Sequence, residues 1–377
     1  QEKIVRDTGR LRYDALKDCK LGVWKSPEGF FYNAGAACYL LPAGAPAGTL
    51  PQEVEPCRPD GMLYVAGEEM PAPTGAAMTD DEARAIKSWL AACNWVKPYA
   101  AELISGWIPC AILSGVLAKR PHIWINAERG CGKTSCAVFI SWLLGGDEEE
   151  GDGGLAVKLS SAQSTAAAFR RDLNSSTRPG IYDEPEAETE KDRATMAEIL
   201  AQIRLATDGS SIKICGKNNA VERFRLKSCF LFTSIRNSLI HASDVSRWVV
   251  LNMRRLTDKN ALGHMLARQK ELRDGMPQDA AARLIARCLS YAPLMLENAA
   301  TIAAALMKHG LEGRASEKMG ALLAGAWLMA HTTPVTSEYV ERCKTTAPAA
   351  VKEEDMESDG TRCLRVLRAK FTPTHRS

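Results

Sequence analysis

At 377 residues the chain exceeds one compact core and calls for two or three domains. With 48 basic against 45 acidic residues its net charge is only +3, so overall charge argues neither for nor against nucleic acid, and any DNA contact must come from local placement of charge. The 12 cysteines form no C-x-x-C pair and no Cys/His cluster of zinc spacing, which excludes a disulfide scaffold and points to reduced thiols used as small apolar residues. There is no signal peptide and no apolar run long enough to cross a membrane, so a soluble cytoplasmic protein with no membrane partner is expected. Because the chain starts at Gln1 rather than Met, further sequence is expected upstream.

Residues 1–75 read as a small β-rich module or the end of one. Gly22–Lys25, Phe30–Asn33 and Met62–Val65 are strand-like runs separated by Pro-, Gly- and Ala-rich pieces such as Leu41–Pro51. Their aromatic residues are expected to pack within a small sheet rather than stack on bases. Residues 76–121 read as a helical collar. Thr79 and the acidic Asp80-Asp81-Glu82 open a helix that runs to about Ala92, and Pro98–Ala118 gives a second one.

Next comes Ile123-Trp124-Ile125, a short apolar strand, followed by Ala127-Glu128-Arg129-Gly130-Cys131-Gly132-Lys133-Thr134-Ser135 and an apolar helix, Cys136–Leu144. Strand, glycine-bearing loop and helix in that order make a phosphate-binding loop. Successive backbone N–H groups and the helix dipole attract a phosphate, and Gly130 and Gly132 let the backbone approach it without a Cβ clash. Lys133 then reaches the β- and γ-phosphates of ATP, and the Thr134 hydroxyl ligates Mg²⁺. Ala127 stands where the leading glycine of the pattern is usual. Cys131, inside the loop, would be open to alkylation when nucleotide is absent.

Gly145–Gly154 is an acidic, glycine-rich loop; Ala156–Ser160 reads as a strand and Ala162–Asn174 as a helix. After the turn Arg178-Pro179-Gly180, the strand Ile181-Tyr182 ends in Asp183-Glu184. Adjacent carboxylates at a strand end repel unless a cation lies nearby, which suits Asp183 in the Mg²⁺ shell and Glu184 as the base that takes a proton from the attacking water. Glu186, Glu188 and Glu190 follow, so a plain acidic loop is the alternative. A helix, Arg193–Ala206, leads to alternating runs at Ile212–Cys215 and Val221–Leu226 around Gly216-Lys217-Asn218-Asn219, which predict a β-hairpin. Cys229–Phe232 is a buried strand tipped by Thr233-Ser234-Ile235-Arg236-Asn237, and Arg247 stands before the strand Trp248–Leu251.

This succession resembles the AAA+ core of superfamily 3-type helicases, and more closely the primase-helicase replication proteins of phages, phage satellites and integrated elements. The resemblance covers roughly residues 95–330, including Arg314–Leu328, which is similar to the helical lid of those proteins. It implies an α/β fold with a parallel sheet and a pre-sensor hairpin at 122–275 and a helical lid at 276–332. Beyond it, residues from 333 read as a linker or the start of a further module, with Thr361–Lys370 resembling the start of another helix. It further implies that Ser234 or Asn237 is the sensor of the γ-phosphate or the water and that Arg247 is an arginine finger acting on the neighbouring subunit's nucleotide. Lys217, with Asn218 and Asn219, would touch the DNA backbone, and a second sensor would lie at Arg283 or Arg287 on a helix over Gln278–Tyr291.

The expectation is a ring-forming, hexameric ATPase that moves along single-stranded DNA in the ring channel during replication of a mobile element in a bacterial host, working with other replication proteins. The rival is a non-translocating nucleotide switch, a scaffold or loader for a partner protein, which needs no basic hairpin tip. A P-loop kinase fits less well with the Asp183-Glu184 strand and Arg247.

Overall fold

The computed structural model describes residues 18–55, 63–73, 75–147, 154–160, 165–183, 189–208, 211–215, 221–235, 239, 242–256 and 260–355. At the amino-terminal end, β1 (Asp18–Cys19) precedes an antiparallel meander of β2 (Gly22–Ser26), β3 (Gly29–Asn33), β4 (Cys38–Pro42) and β5 (Gln52–Val54); β6 (Leu63–Tyr64) pairs with β1. The strand β4 differs from the sequence reading, which places Leu41 in a loop. Leu41 pairs with Phe30 and is fully buried, so a good core residue outweighs the turn-forming composition after it. Phe31 stacks on Tyr64 at 4.6 Å, and Trp24, Phe31 and Tyr32 are buried, so these aromatics serve packing.

Two helices follow, α1 (Asp80–Ala92) and α2 (Tyr99–Ile112). Thr79 caps α1 with a reciprocal pair: its hydroxyl accepts from the Glu82 amide at 3.3 Å, and its own amide donates to the Glu82 carboxylate at 2.7 Å. The helix α2 stops at Ile112, short of the expected Ala118, and turns carry the chain onward.

The core then runs β7 (His122–Asn126), α3 (Lys133–Leu143), β8 (Val157–Ser160), α4 (Ala166–Leu173), β9 (Gly180–Asp183), α5 (Glu190–Asp208), β10 (Ser211–Cys215), β11 (Val221–Arg225), β12 (Phe230–Ser234), α6 (Ala242–Val245) and β13 (Trp248–Asn252). Five of these strands form an all-parallel sheet in the order β13-β7-β12-β9-β8. The two expected hairpin strands, β10 and β11, pair antiparallel from Ser211↔Arg225 to Cys215↔Val221. Alternation builds two cores. Ile123, Ile125, Ile181, Leu231, Val249 and Leu251 face an apolar cluster shared with α2 and α3. Trp124, Tyr182, Phe230, Phe232 and Trp248 face the other, against Phe169 of α4 and Ile199 and Ile203 of α5. A register slip of one residue would exchange these faces, so the two cores fix the pairing.

The remainder is helical: α7 (Ala261–Asp274), α8 (Ala280–Ser290), α9 (Ala292–Lys308), α10 (Gly313–Leu328) and α11 (Ser337–Asp355). Backbones of α2 and α10 meet at Gly106 and Gly325; a Cβ on the first would strike the Leu322 carbonyl, and one on the second the Gly106 carbonyl. The helix α11 docks through Tyr339, whose hydroxyl donates to the Leu323 carbonyl at 2.8 Å. The meander is tied to the hairpin base. Lys20 N donates to the Ser175 carbonyl (2.8 Å), Thr177 N to that of Leu21 (3.0 Å) and Ser175 N to that of Arg225 (2.9 Å), while Arg225 and Lys227 lie 5.0 and 5.6 Å from the Trp24 ring. Among the described residues no helix is long and apolar enough to cross a membrane.

Candidate functional site

The carboxyl edge of the parallel sheet is where ligands bind in open α/β folds, and here it gathers the polar strand ends. The chain leaves β7 at Asn126, whose side chain donates to that of Asn252 at the end of β13 (3.2 Å), and the Ala127 amide is anchored on the Ser234 carbonyl of β12 (3.0 Å). The loop then rises. Glu128, Arg129 and Gly130 are exposed, Gly130 and Gly132 take the left-handed conformation (φ 78° and 86°), and Gly132 directly precedes α3. Those two angles answer why glycine stands at both positions. Lys133 is buried at the first turn, and Thr134 is exposed beside it.

Below the loop, Asp183 ends β9 half-buried. Its Oδ1 lies 3.5 Å from the Thr134 hydroxyl and accepts a hydrogen bond from the Thr233 hydroxyl of β12. Hydroxyl and carboxylate oxygens at this spacing suit Mg²⁺, which takes one or two carboxylates plus phosphate and water oxygens rather than an all-protein cage. Among the described residues no group of three or more His, Cys, Asp and Glu is placed to hold a metal ion. Glu184, the candidate base, lies outside the described residues, as do Asn237 and the hairpin tip Lys217, Asn218 and Asn219.

Sequence reading left the sensor open between Ser234 and Asn237. The structure turns Ser234 away from the loop: its side chain is buried on the aromatic face of the sheet, where its hydroxyl accepts from Trp124 Nε1 at 2.7 Å. Thr233, its neighbour, has the opposite parity and meets Asp183. Strand alternation alone could have found it, had the register with β9 (Thr233↔Asp183) been known. A second group missed from sequence is Arg255. It is exposed after β13, and its charge lies close enough to Cys131 to draw that thiol's pKa down. Burial and Glu128 push the same thiol up more strongly, and Cys131 is fully buried, so the expectation of ready alkylation is corrected.

The helix α7, not expected from sequence, covers one side of the loop. A Cβ at Gly132 would come within 2.6 Å of the Met265 methyl, and Gln269 Nε2 donates to the Ser135 carbonyl at 3.2 Å. The second-sensor expectation at Arg283 or Arg287 is also corrected. Arg287 is buried, with Nη1 donating to the Met78 carbonyl (2.8 Å), Nε to that of Leu328 (2.9 Å) and Nη2 paired with Asp80 (2.6 Å); Arg283 pairs with Glu82 at 2.8 Å. Both guanidinium groups fasten α8 to the amino end of α1.

Arg247 sits at the other end of the sheet, directly before β13. Parallel pairing puts Trp248 beside His122 and Asn252 beside Asn126. At roughly 3.3 Å per residue, Arg247 is about 20 Å of strand from Ala127, farther than an arginine side chain spans. Thus Lys133, Thr134, Asp183 and Thr233 share one edge and Arg247 belongs to the opposite one.

No family model and no curated protein matches the chain. Among solved structures it is similar to a full-length MCM homologue from Methanopyrus kandleri, at 12% identity over 88% of this chain and 75% of that one, with a TM-score of 0.44. A likeness of that size leaves the function to be argued from the site.

Proposed function

We propose that the chain is an ATP-dependent, ring-forming DNA helicase of the AAA+ superfamily 3 type, hydrolysing ATP between subunits of a hexamer to translocate on single-stranded DNA during replication of a phage satellite or similar element in the bacterial cytoplasm. In this reading residues 1–75 are a β-rich module, 76–121 the collar, 122–275 the ATPase core and 276–332 the lid, onto which α11 docks. The observation that carries the proposal is the division between the two sheet edges. A phosphate loop with Thr134, Asp183 and Thr233 beneath it supports nucleotide hydrolysis, and an arginine too distant to serve its own loop supports a site completed by a second copy.

Lys133 and the loop amides bind the phosphates of ATP, and Arg255 adds charge at the rim. Mg²⁺ would supply positive charge that offsets that of the phosphates. Thr134 and Asp183 would hold it, with Thr233 fixing the Asp183 carboxylate. Glu184 takes the proton of the attacking water. Arg247 of the adjacent subunit stabilises charge on the transferring phosphoryl group, which an isolated subunit lacks.

The hairpin separates a motor from a nucleotide switch. Between the phosphate-binding elements it contributes no group to the nucleotide, and Lys217 at its tip suits a sequence-neutral phosphodiester contact. Single-stranded DNA is expected to stimulate ATP hydrolysis, and Lys217→Ala is expected to remove strand separation of a forked duplex and lessen the salt dependence of DNA binding. Normal unwinding by Lys217→Ala discards the hairpin contact. No DNA stimulation and no unwinding by the wild type favours a switch.

A further inference from the structure

We propose that Lys318 is a positioning residue for Arg247, and through it for the nucleotide held by the neighbouring subunit; this rests on the reading of Arg247 given above. Lys318 lies on α10 and is only 4% exposed. Lysine is almost never buried without partners, because desolvating the ammonium is costly unless hydrogen bonds replace its water. Here Nζ donates to the Ser246 carbonyl at 3.2 Å and to the Trp248 carbonyl at 2.8 Å, the carbonyl groups of the residues on either side of Arg247. Fixing both fixes the point from which the arginine side chain leaves the backbone.

Around it α10 adds a second restraint. Arg314, one turn before Lys318, approaches Asp208 at 3.9 Å, and Asp208 is also bound by Lys119 at 2.6 Å. Asp208, Asp244, Arg204 and Arg314 all act on the Arg247 guanidinium, and burial with the Arg314 charge draws its pKa down from the usual arginine value. Arg247 Nη1 donates to the Ser243 carbonyl, whereas its buried Nε has no partner among the described residues. The arginine is therefore held from behind, at the backbone carbonyls that flank it and at one amino group of its side chain. Since α10 meets α2 backbone to backbone at Gly106 and Gly325, collar, lid helix and Arg247 are connected by rigid contacts.

Lys318→Met removes the donors at nearly constant length. Turnover is expected to fall on the order of 10²-fold, as for other small misplacements of reacting groups, with the KM for ATP little changed because the subunit's own phosphate loop is intact. Lys318→Arg, which keeps donors, should recover part of the rate. Mixing Lys318→Met with Lys133→Ala subunits should restore activity, since some interfaces then pair an intact loop with a correctly held Arg247; mixing it with Arg247→Ala subunits should not. Wild-type turnover by Lys318→Met while Arg247→Ala is inactive overturns the role of Lys318 alone. Wild-type turnover by both variants overturns the reading of Arg247 as well. A Lys318→Met defect that Lys133→Ala subunits cannot relieve places the fault in its own site and also overturns the proposal. Should Lys318→Met lose its cooperative thermal melt, Lys318→Gln, which keeps a donor for one carbonyl, is mixed in the same way and judged by the same pattern.

Discussion

The two edges of the central sheet are built on opposite principles. At the carboxyl edge the loop crown and Thr134 are exposed, with Asp183 half-buried below. At the amino edge Arg120, His122 and Lys318 are all buried. Arg120 Nη1 donates to the Thr207 carbonyl at 3.2 Å, and the His122 ring is held between the Phe230 amide (3.2 Å) and the Thr207 hydroxyl (2.9 Å). Burial and the Arg120 charge keep that imidazole neutral by drawing its pKa well below the usual value. The open edge leaves room for a ligand above Thr134 and Asp183, whereas the closed edge holds Arg120, His122 and Lys318 among protein partners.

The strongest test of the open edge is Lys133→Ala. ATP hydrolysis should drop to background in a phosphate-release assay while a cooperative thermal melt is kept, as the proposed phosphate-binding role of Lys133 requires. Turnover at the wild-type rate would remove the nucleotide site altogether.

At the closed edge, Arg247→Ala should lower turnover by about 10³-fold, the lower end for arginine fingers supplied in trans. Mixing with Lys133→Ala subunits should return activity. Complete failure at every ratio would mean that Arg247 acts within its own chain, against the strand-length separation.

Thr233 and Ser234 sharpen the comparison within one strand. Thr233→Val removes the hydroxyl that orients Asp183 and should cost about 10- to 100-fold in turnover or in the Mg²⁺ concentration required, the usual range for a group that orients a metal ligand. Ser234→Ala should instead cost stability, about 1 kcal/mol for the lost Trp124 hydrogen bond, with turnover near wild type. Paired ATPase and melting measurements decide; the reverse pattern would return the sensor to Ser234.

The smallest effect concerns Lys227, between β11 and β12. Burial, helped by Arg120 and Arg225, lowers its pKa to about 8 from the ordinary 10.5. Below pH 8 the ammonium is charged in both the folded and unfolded chain, and its burial weakens the fold. Between about 8 and 10.5 the unfolded chain binds more protons, so stability conferred at this site rises with pH. Lys227→Met should therefore melt higher than wild type at pH 7, and the gap should close toward pH 10. A gap independent of pH would assign it to packing alone.

Much of the open edge was legible in the sequence because phosphate binding demands glycine at particular backbone angles, and Gly130 and Gly132 adopt them. The cap at Thr79 and the hairpin flanks were legible for similar local reasons: side-chain reach and residue alternation. What escaped depends on contacts far along the chain. Along α7 the apolar positions Leu262, Met265, Leu266 and Leu272 are interrupted by the buried Gln269 and flanked by Arg268 and Arg273, so its apolar face is weak in sequence. The choice of Thr233 over Ser234 depends on register with a strand some fifty residues earlier (Thr233 to Asp183 spans 50 positions). Arg283 and Arg287 look like free cations in sequence, and only the fold reveals that they hold α8 to the collar. Glu184, Asn237 and the hairpin tip, read from sequence as chemistry, lie outside the described residues, and of them Lys217 is tested by its own variant above.

The seam between the meander and the hairpin base has a consequence for how the chain is made. The Ser176 hydroxyl donates to the Leu21 carbonyl across 155 residues of sequence, and the cover over Trp24 comes from Arg225 and Lys227, later still. At about 5–20 residues per second, ribosomal synthesis leaves an interval on the order of ten seconds between the emergence of β2 and that of its docking partners. Throughout it the meander has strands to pair but not the surface that closes over Trp24. The meander is thus made well before the surface that seals it, and a chaperone would have that interval in which to hold it.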